Sequence, residues 1–523
     1  MTRLKWLHLT QLVAAMTTVS VAAAAADDPP AQGRTDGKQV AQTTAPQPTP
    51  ESTPEQVPPP PPAPPEATQA TPPPAAPAPT SPAPAPAAAE EEKLPPGSFK
   101  VPGTQTVLTL SGYAQLDVTF DAKGRDPQVE DNDWAVHAAI HPLNQSYETR
   151  QKSGQLYLTA RTSRVGISTM TKSEIADIGA KVEGDFNAGN LLSGQTFTNS
   201  VLFRLRHAYG TLSGKYGTFL FGQSWSTMLD LPSYAETVDF NGPGSIPLIR
   251  QPQIRYTIPI GDAVSLALAA ENGPGTDRNG VTDSTGPTRR MQQIPDLIAV
   301  LGFKGDWGTA SIGGVALQYK QAGSPATGGA TPTAERDGYS KEGWGVRAGA
   351  ALNLPWGDRF RAYGAGGNGI GRYIFNAGLQ GQGARPNAAD DDWQLWQVIA
   401  YHVNYTRVWS PVVRSNVVWS QTYMKWNGSQ SLAEIGALPS FDPQTGYVHD
   451  PGFNKRLDQL FINTFFTVNK QVEFGVEYAF SERNTFGNDD APSNSCDAAS
   501  VGPCASQKGT QHRVTGTMHV NFF

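Results

Sequence analysis

Long stretches of this chain alternate apolar and polar residues with a period of two, and this pattern limits the chain to β structure. The first such stretch starts at Thr104 and carries one apolar face, formed by Leu108, Leu110, Gly112, Ala114, Leu116, Val118 and Phe120. Similar alternation recurs in residues 178–186, 264–270, 472–480 and 514–522. Because successive side chains of a strand point to opposite faces, each segment predicts a strand with one apolar and one polar face.

The connections between these segments predict how the strands are joined. Short turns fall near residues 171–176, 213–217, 259–262, 305–308, 355–358, 409–411 and 468–471. Long polar insertions alternate with them, near residues 121–154, 187–200, 225–248, 272–294, 321–341, 367–391, 424–456 and 484–508. Alternating short turns and long loops are typical of membrane barrels. We therefore predict an all-β chain, a transmembrane antiparallel up-and-down β-barrel of about 16 strands, wide enough for an aqueous lumen.

The N-terminal region predicts export. Arg3 and Lys5 precede an apolar stretch and an alanine run, which indicates a signal peptide over residues 1–26. Residues 27–97 contain 23 prolines and no Phe, Tyr, Trp or Ile, so they predict a disordered Pro/Ala-rich arm in the periplasm. No further run of eighteen apolar residues follows, and residues 98–523 are predicted to form an outer-membrane barrel domain.

The charge of the predicted barrel is balanced. Residues 98–523 carry 35 basic and 37 acidic residues, which gives no reason to expect a nucleic-acid partner. Any clustering of arginines inside the barrel is therefore a local feature. The sequence predicts no cofactor and no metal site.

Five arginines are predicted to line the lumen. Arg204 and Arg206 are flanked by Phe203 and Leu205, which take the lipid face, where an arginine at the midplane would cost about 2 to 4 kcal/mol. The remaining three are Arg161, Arg164 and Arg255.

Arg161 and Arg164 both face inward only if the strand changes phase between them. A β-bulge near Thr162 would do this. An alternative interpretation is a structural arginine ladder paired with Glu183, Asp185 and loop carboxylates, and Arg347 and Arg414 are candidates for the far wall.

Residues Ser224 to Pro243 lose the alternation yet remain rich in apolar side chains, including Trp225. A loop exposed to water would not carry so much apolar surface. We therefore predict that it folds into the barrel as a constriction loop. Its carboxylates Asp230, Glu236 and Asp239 would then lie near the arginines and create a transverse field.

Two cysteines, Cys496 and Cys504, lie close together in a polar stretch. In an exported protein such a pair predicts a disulfide in a loop. The alternative, a metal-binding pair, lacks neighbouring histidines or further cysteines.

Other signals are weaker. Residues 364–369 read GAGGNG but follow a strand with no helical crossover, which disfavours a phosphate loop. His137 and His141 have helical spacing without further metal ligands. His207 falls on the nominally outward face, which predicts a subunit contact or an interface position.

Aromatic residues cluster near the predicted strand ends, where the interface girdles of membrane barrels occur. This group comprises Trp344, Trp393, Trp396, Tyr401, Tyr405, Trp409, Trp419 and Tyr423.

Several motifs together resemble the DcaP-like family of outer-membrane porins. They are GSFKVPGT, LSGYAQLDV, ARTSRVGI, KVEGDF, RLRHAYGTL, the loop FGQSWSTMLDLPSYAETVDFNGP and GIGRYI, and the final strand resembles the C-terminal signal of bacterial outer-membrane barrels. The resemblance implies a sixteen-stranded homotrimeric porin in outer-membrane lipid that admits small anionic solutes, with dicarboxylates and aromatic acids as associated substrates. The Pro-rich arm has no heptads, unlike family members with an N-terminal coiled coil.

We therefore expect a passive diffusion porin and no enzyme. One alternative is a structural envelope tether, in which the Pro-rich arm contacts the cell wall and the barrel serves as an anchor. Another is a barrel hydrolase, which would need a Ser, His and carboxylate set that no motif here supplies.

Overall fold

The structure is a computed structural model. It describes residues 94–123, 154–187, 203–273, 290–321, 338–379, 381–387, 392–432, 440–442, 447–450, 453–487 and 508–523. Within these ranges no helix is both long enough and apolar enough to cross a membrane. The predicted signal peptide, nearly all of the predicted arm, His137, His141 and both cysteines lie outside the described residues.

Sixteen antiparallel strands form a closed barrel, which confirms the predicted fold class. The first eight are β1 (Thr106–Lys123), β2 (Gln155–Thr159 and Arg164–Thr171), β3 (Asp177–Asp185), β4 (Arg204–Gly214), β5 (Gly217–Trp225), β6 (Arg250–Ile260), β7 (Val264–Glu271) and β8 (Asp296–Gly305). The others are β9 (Gly308–Gln321), β10 (Tyr339–Asn353), β11 (Arg359–Asn368), β12 (Asp392–Ser410), β13 (Val413–Trp426), β14 (Asn454–Thr467), β15 (Val472–Thr485) and β16 (Lys508–Asn521).

The barrel closes between its first and last strands, β1 and β16, in a register that runs from Tyr113 opposite Asn521 to Lys123 opposite His512. A short strand, Ser98–Lys100, folds back onto β1. All seven predicted short turns join strands at one end of the barrel. The strand ends that the eight long connections join lie at the other end, as predicted for an up-and-down membrane barrel.

The side chains of the strands alternate between an outward apolar face and an inward polar face, as the sequence predicts. The outward face is apolar and exposed, as at Leu158, Ile167, Val182, Phe221 and Met518. The inward face carries most of the buried charged and amide side chains. This arrangement lets the wall face lipid while the lumen stays polar.

Strand β2 is interrupted at the expected place. Thr159 pairs with Asp117 and Arg164 pairs with Tyr113, so four residues of β2 stand opposite three of β1. The extra residue shifts the phase by one. As a result Leu158 and Val165 both face outward although they lie seven positions apart, an odd spacing that would put them on opposite faces of a regular strand.

A second phase shift, in β4, overturns the placement of His207. Glu183 pairs with His207 and Gly184 pairs with Leu205, which leaves Arg206 as the extra residue of a β-bulge. His207 is consequently buried inside the wall, and its Nδ1 lies 3.4 Å from Ser224 Oγ. It does not occupy an outward subunit contact.

The long-loop half of the lumen is partly filled by apolar side chains. Short helical turns, Ile370–Tyr373 and Phe375–Leu379, belong to a second inward loop, whose described parts are residues 369–379 and 381–387. Ile370, Tyr373 and Ile374 pack there against the wall. Trp393 and Trp396 are fully buried in this cluster rather than placed in an interface girdle. Two polar cavities in the lumen are lined instead by residues of β1 to β6 and β14 to β16.

Candidate functional site

The constriction loop, residues 226–249 between β5 and β6, lies inside the barrel against the far wall. Glu236 accepts hydrogen bonds from Arg361 at 3.3 Å and Arg414 at 2.6 Å. Glu477 accepts the backbone N–H groups of Val238 and Asp239, both at 2.9 Å. Fixed at several points, the loop narrows the lumen.

The loop carboxylates do not pair with the five arginines named from the sequence. Asp230 lies 3.4 Å from Arg347, and Glu236 binds Arg361 and Arg414, so both are neutralised by the far wall. Asp239 lies 3.7 Å from Arg513 of β16. Asp230 and Glu236 are therefore compensated by the far wall, whereas Asp239 lines the same cavity as Arg164, Arg204 and Arg206.

Burial changes the state of Asp239. The loss of hydration raises the pKa of this loop carboxyl to about 7, and the nearby Arg513 opposes part of the shift. The same effect raises the pKa of the Tyr234 hydroxyl to about 12. Near neutral pH, Asp239 thus carries less than a full negative charge.

Across the lumen, three of the predicted arginines cluster around two buried carboxylates. Arg204 makes two hydrogen bonds to Asp185, at 2.9 and 2.8 Å. Arg206 bridges Glu183 at 3.0 Å and Asp185 at 2.8 Å, and Arg164 lies 3.5 Å from Glu183. These contacts form a structural arginine ladder paired with Glu183 and Asp185, which is the alternative that the sequence left open. The ladder contains three arginines and two carboxylates.

The other two predicted arginines occupy different positions. Arg161 is buried at the interruption of β2 and borders neither of the two cavities in the lumen. Arg255 faces the lumen between the outward side chains Ile254 and Tyr256. Among the described residues, Arg255 forms no salt bridge.

Sequence reasoning missed Arg250, the first residue of β6. Its guanidinium carbon lies 3.5 Å from the centre of the Trp225 ring, and no described carboxylate pairs with it. In a regular strand the spacing of five residues places Arg250 on the opposite face from Arg255. Its inward position follows from the loop that re-enters the barrel next to it, for which the sequence offers no local signal.

A cavity of about 410 Å³ lies between the arginine wall and the constriction loop. Arg164, Arg204, Arg206 and Arg250 line it against two carboxylates, Asp239 and Glu473. Its apolar and aromatic lining comprises Tyr113, Trp225, Leu231, Tyr234, Val238, Phe240, Leu248, Phe375 and Phe465. The cavity is therefore cationic and partly aromatic.

A second cavity, of about 370 Å³, adjoins the first toward the short-turn end. Its lining includes Lys181, His207, Tyr209 and Arg255, together with one carboxylate, Glu183, which is paired with Lys181 and Arg206. Four residues border both cavities, namely Arg164, Arg206, Trp225 and Leu231. The two cavities thus follow one another along the same wall.

The second inward loop supports the first. Phe375 and Asn376 donate backbone hydrogen bonds to Ile246 at 2.9 Å and Gly244 at 3.1 Å in the constriction loop. Arg372 anchors the second loop by binding Asp296 at 2.8 Å. Arg372 belongs to the GIGRYI motif, in which no local sequence pattern indicates this structural role.

No group of three or more acidic, histidine or cysteine side chains within the described ranges could hold a metal ion. The GAGGNG segment forms the end of β11 and the turn after it.

Comparisons with known proteins agree with this architecture. A family model described as "Porin subfamily" matches residues 96–442. The structure is similar to the outer membrane channel DcaP of Acinetobacter baumannii, with 23% identity, a TM-score of 0.58, and coverage of 82% of this chain and 100% of that one. No curated protein matches the chain.

Two further solved structures are less similar. The anion-selective porin from Comamonas acidovorans has 14% identity and a TM-score of 0.43, with coverage of 79% of this chain and 99% of that one. The Salmonella typhi OmpF complex with daunomycin has 10% identity and a TM-score of 0.46, with coverage of 81% and 100%.

Proposed function

This chain belongs to the porin subfamily, and from that premise we propose that it is an outer-membrane diffusion porin that favours small anionic solutes. The family supports the channel and its location in the outer membrane. The preference for anions rests on the lumen.

The observation that carries the preference is the charge balance of the first cavity. Four arginines and two carboxylates line it, but Arg164, Arg204 and Arg206 are paired with Glu183 and Asp185 in the wall, and Glu473 is paired with Arg414. The excess positive charge therefore comes from Arg250, and it is opposed by Asp239, whose pKa burial raises to about 7. The Arg250 guanidinium in this cavity has no described carboxylate partner. At an effective dielectric constant of about 20, unit charges a few ångströms apart interact by a few kcal/mol, which is enough to favour anion entry.

The lining also fits a solute with a flat or apolar part. Trp225, Phe240 and Phe375 stand beside the guanidiniums, so a carboxylate could be bound while its hydrocarbon part contacts aromatic surface. We propose dicarboxylates and aromatic acids as the solute class, the one that the family resemblance implies.

Passage needs no chemical step. An anion enters down the local positive potential, exchanges part of its hydration for guanidinium hydrogen bonds, and leaves toward the short-turn end. Binding must stay weak, because a tight site would block flux.

We also propose a homotrimer, with the short turns and the Pro-rich arm on the periplasmic side and residues 98–523 as the barrel domain. The apolar outward face supports contact with lipid and with neighbouring subunits. The division into signal, arm and barrel, and a cell-wall contact through the arm, are proposals that rest on composition.

The experiment is a reversal-potential measurement on the purified protein in a planar bilayer under a salt gradient. We expect a sign that reports anion preference and a preference that weakens as ionic strength rises. A cation preference would refute the anion proposal, and a folded protein without conductance would favour the tether.

A further inference from the structure

The arginines of the lumen wall divide into paired and unpaired ones. Arg204 and Arg206 are bound by Asp185 and Glu183. Arg250 and Arg255, both on β6, form no salt bridge with a described residue, and the Nε of Arg250 is buried without a hydrogen-bond partner. A paired guanidinium has used part of its hydrogen-bonding capacity, whereas an unpaired one keeps its terminal NH₂ groups for an anion.

The two unpaired arginines line different cavities. Arg250 lines the first cavity, of about 410 Å³, and Arg255 the second, of about 370 Å³. They lie five positions apart on one strand, which corresponds to roughly 17 Å between their backbone positions. Arg206 and Trp225 border both cavities and stand between them.

We propose that the lumen contains two anion-binding stations in series, an outer one at Arg250 and an inner one at Arg255. Each binds a small monoanion, such as a halide or a single carboxylate group. This proposal deepens the proposed function and rests on it.

The spacing allows both stations to be filled together. At physiological ionic strength the Debye length is about 8 Å, which is about half of the roughly 17 Å between the two backbone positions, so screening weakens the repulsion between two bound anions. Between them, the charge of Arg206 is offset by Glu183 and Asp185, which makes this stretch less attractive to an anion than either end. Two weak sites in sequence permit faster passage than one strong site.

Crystals of the full-length protein soaked in sodium iodide test the proposal through anomalous scattering. We expect one iodide within about 4 Å of each guanidinium, at Arg250 and at Arg255. Arg255→Gln should remove the inner iodide and leave the outer one, and Arg250→Gln should do the reverse. Arg359→Gln is the matched control, because Arg359 is an exposed residue at the start of β11 that lines neither cavity.

Arg255→Lys guards against a folding defect, because it keeps the charge and should keep the inner iodide. The proposal is overturned if iodide occupies the Arg204 and Arg206 pair with none at Arg255. It is also overturned if one substitution removes both ions, which would indicate a single shared site.

The bilayer measurement separates the two levels of inference. If the wild-type reversal potential shows no anion preference, the proposed function fails. If anion preference is present but Arg255→Gln crystals keep every iodide of the wild type, only the two-station proposal fails.

Discussion

The guanidinium of Arg250 stacks on the indole of Trp225, with 3.5 Å between the guanidinium carbon and the ring centre. A cation over an aromatic face is held by the ring quadrupole without the use of its N–H groups. The stacking therefore positions the charge of Arg250 and leaves hydrogen-bond donors for a passing anion. An ion pair such as that of Arg204 with Asp185 fixes the side chain at the expense of those donors.

Trp225→Leu should weaken anion binding without removing any charge. The stacking contributes about 1 kcal/mol, which corresponds to a rise of about fivefold in the anion concentration that half-saturates conductance. Single-channel conductance over a range of chloride concentrations measures this. Trp225→Phe keeps an aromatic face and should lie between the two. Equal values for all three proteins would contradict a positioning role for the ring.

Arg206→Gln should destabilise the barrel. The side chain is 4% exposed and bridges two carboxylates that are 8% and 0% exposed, and breaking such a pair leaves buried charge behind. Because Arg204, Arg164 and Lys181 still compensate it, we expect a loss of roughly 3 kcal/mol or less. The temperature at which heat-modifiable gel mobility is lost reports the change.

A second substitution shows whether Arg206 stabilises the barrel through its ion pair with Asp185 or through packing alone. Asp185 loses one of its two guanidinium partners in Arg206→Gln, so adding Asp185→Asn should destabilise the barrel less than Asp185→Asn does in the wild type. If the loss of stability in the double variant equals the sum of the losses in Arg206→Gln and Asp185→Asn, the two residues are not coupled.

Much of the barrel could be predicted from the sequence because its signals are local. Alternation along each strand and turn residues at one end predicted sixteen strands and all seven short turns. The interruption near Thr162 could also be predicted, since Leu158 and Val165 both had to face lipid. No such conflict marked the bulge at Arg206, so His207 was placed on the wrong face.

The details of the site depend on contacts between distant residues. Arg372 binds Asp296 across 76 positions, and Glu236 binds Arg414 across 178. Such pairs follow from where an inward loop comes to rest, and no periodicity encodes that position. The same reason explains why Arg250 was missed and why Asp230 and Glu236 were expected to face the wrong arginines. The disulfide between Cys496 and Cys504 stays a prediction.

Glu477→Gln should loosen the constriction loop. Both carboxylate oxygens of Glu477 are used, one accepting the Asp239 N–H and the other the Val238 N–H and Asn463. A glutamine keeps one acceptor and places an NH₂ group against a backbone N–H, which leaves that donor unsatisfied. We expect larger open-channel current noise at unchanged thermal stability of the barrel wall.

Glu482→Gln is the control for this variant. Glu482 lies on the same strand, pairs with Lys508 and makes no described contact with the loop. Noise that rises equally in both variants would assign the effect to the loss of a charge rather than to the clasp on the loop.

The anion preference of the pore should fall as pH rises from about 6 to 8. The pKa of Asp239 is raised to about 7, so the carboxyl is mostly neutral at the lower pH and mostly ionised at the higher one. Ionisation adds negative charge to the cavity that Arg164, Arg204, Arg206 and Arg250 line. A unit charge several ångströms from an anion changes its interaction energy by a few kcal/mol before screening. After screening, we expect a decrease of about two- to fivefold in the anion-to-cation permeability ratio.

Asp239→Asn should flatten the profile, because the amide oxygen can still accept the Asn241 N–H while no proton is exchanged. His519 lines the same cavity, so reversal potentials of the variant must be followed over the same pH range. A slope that persists unchanged in Asp239→Asn would exclude this carboxyl as its source.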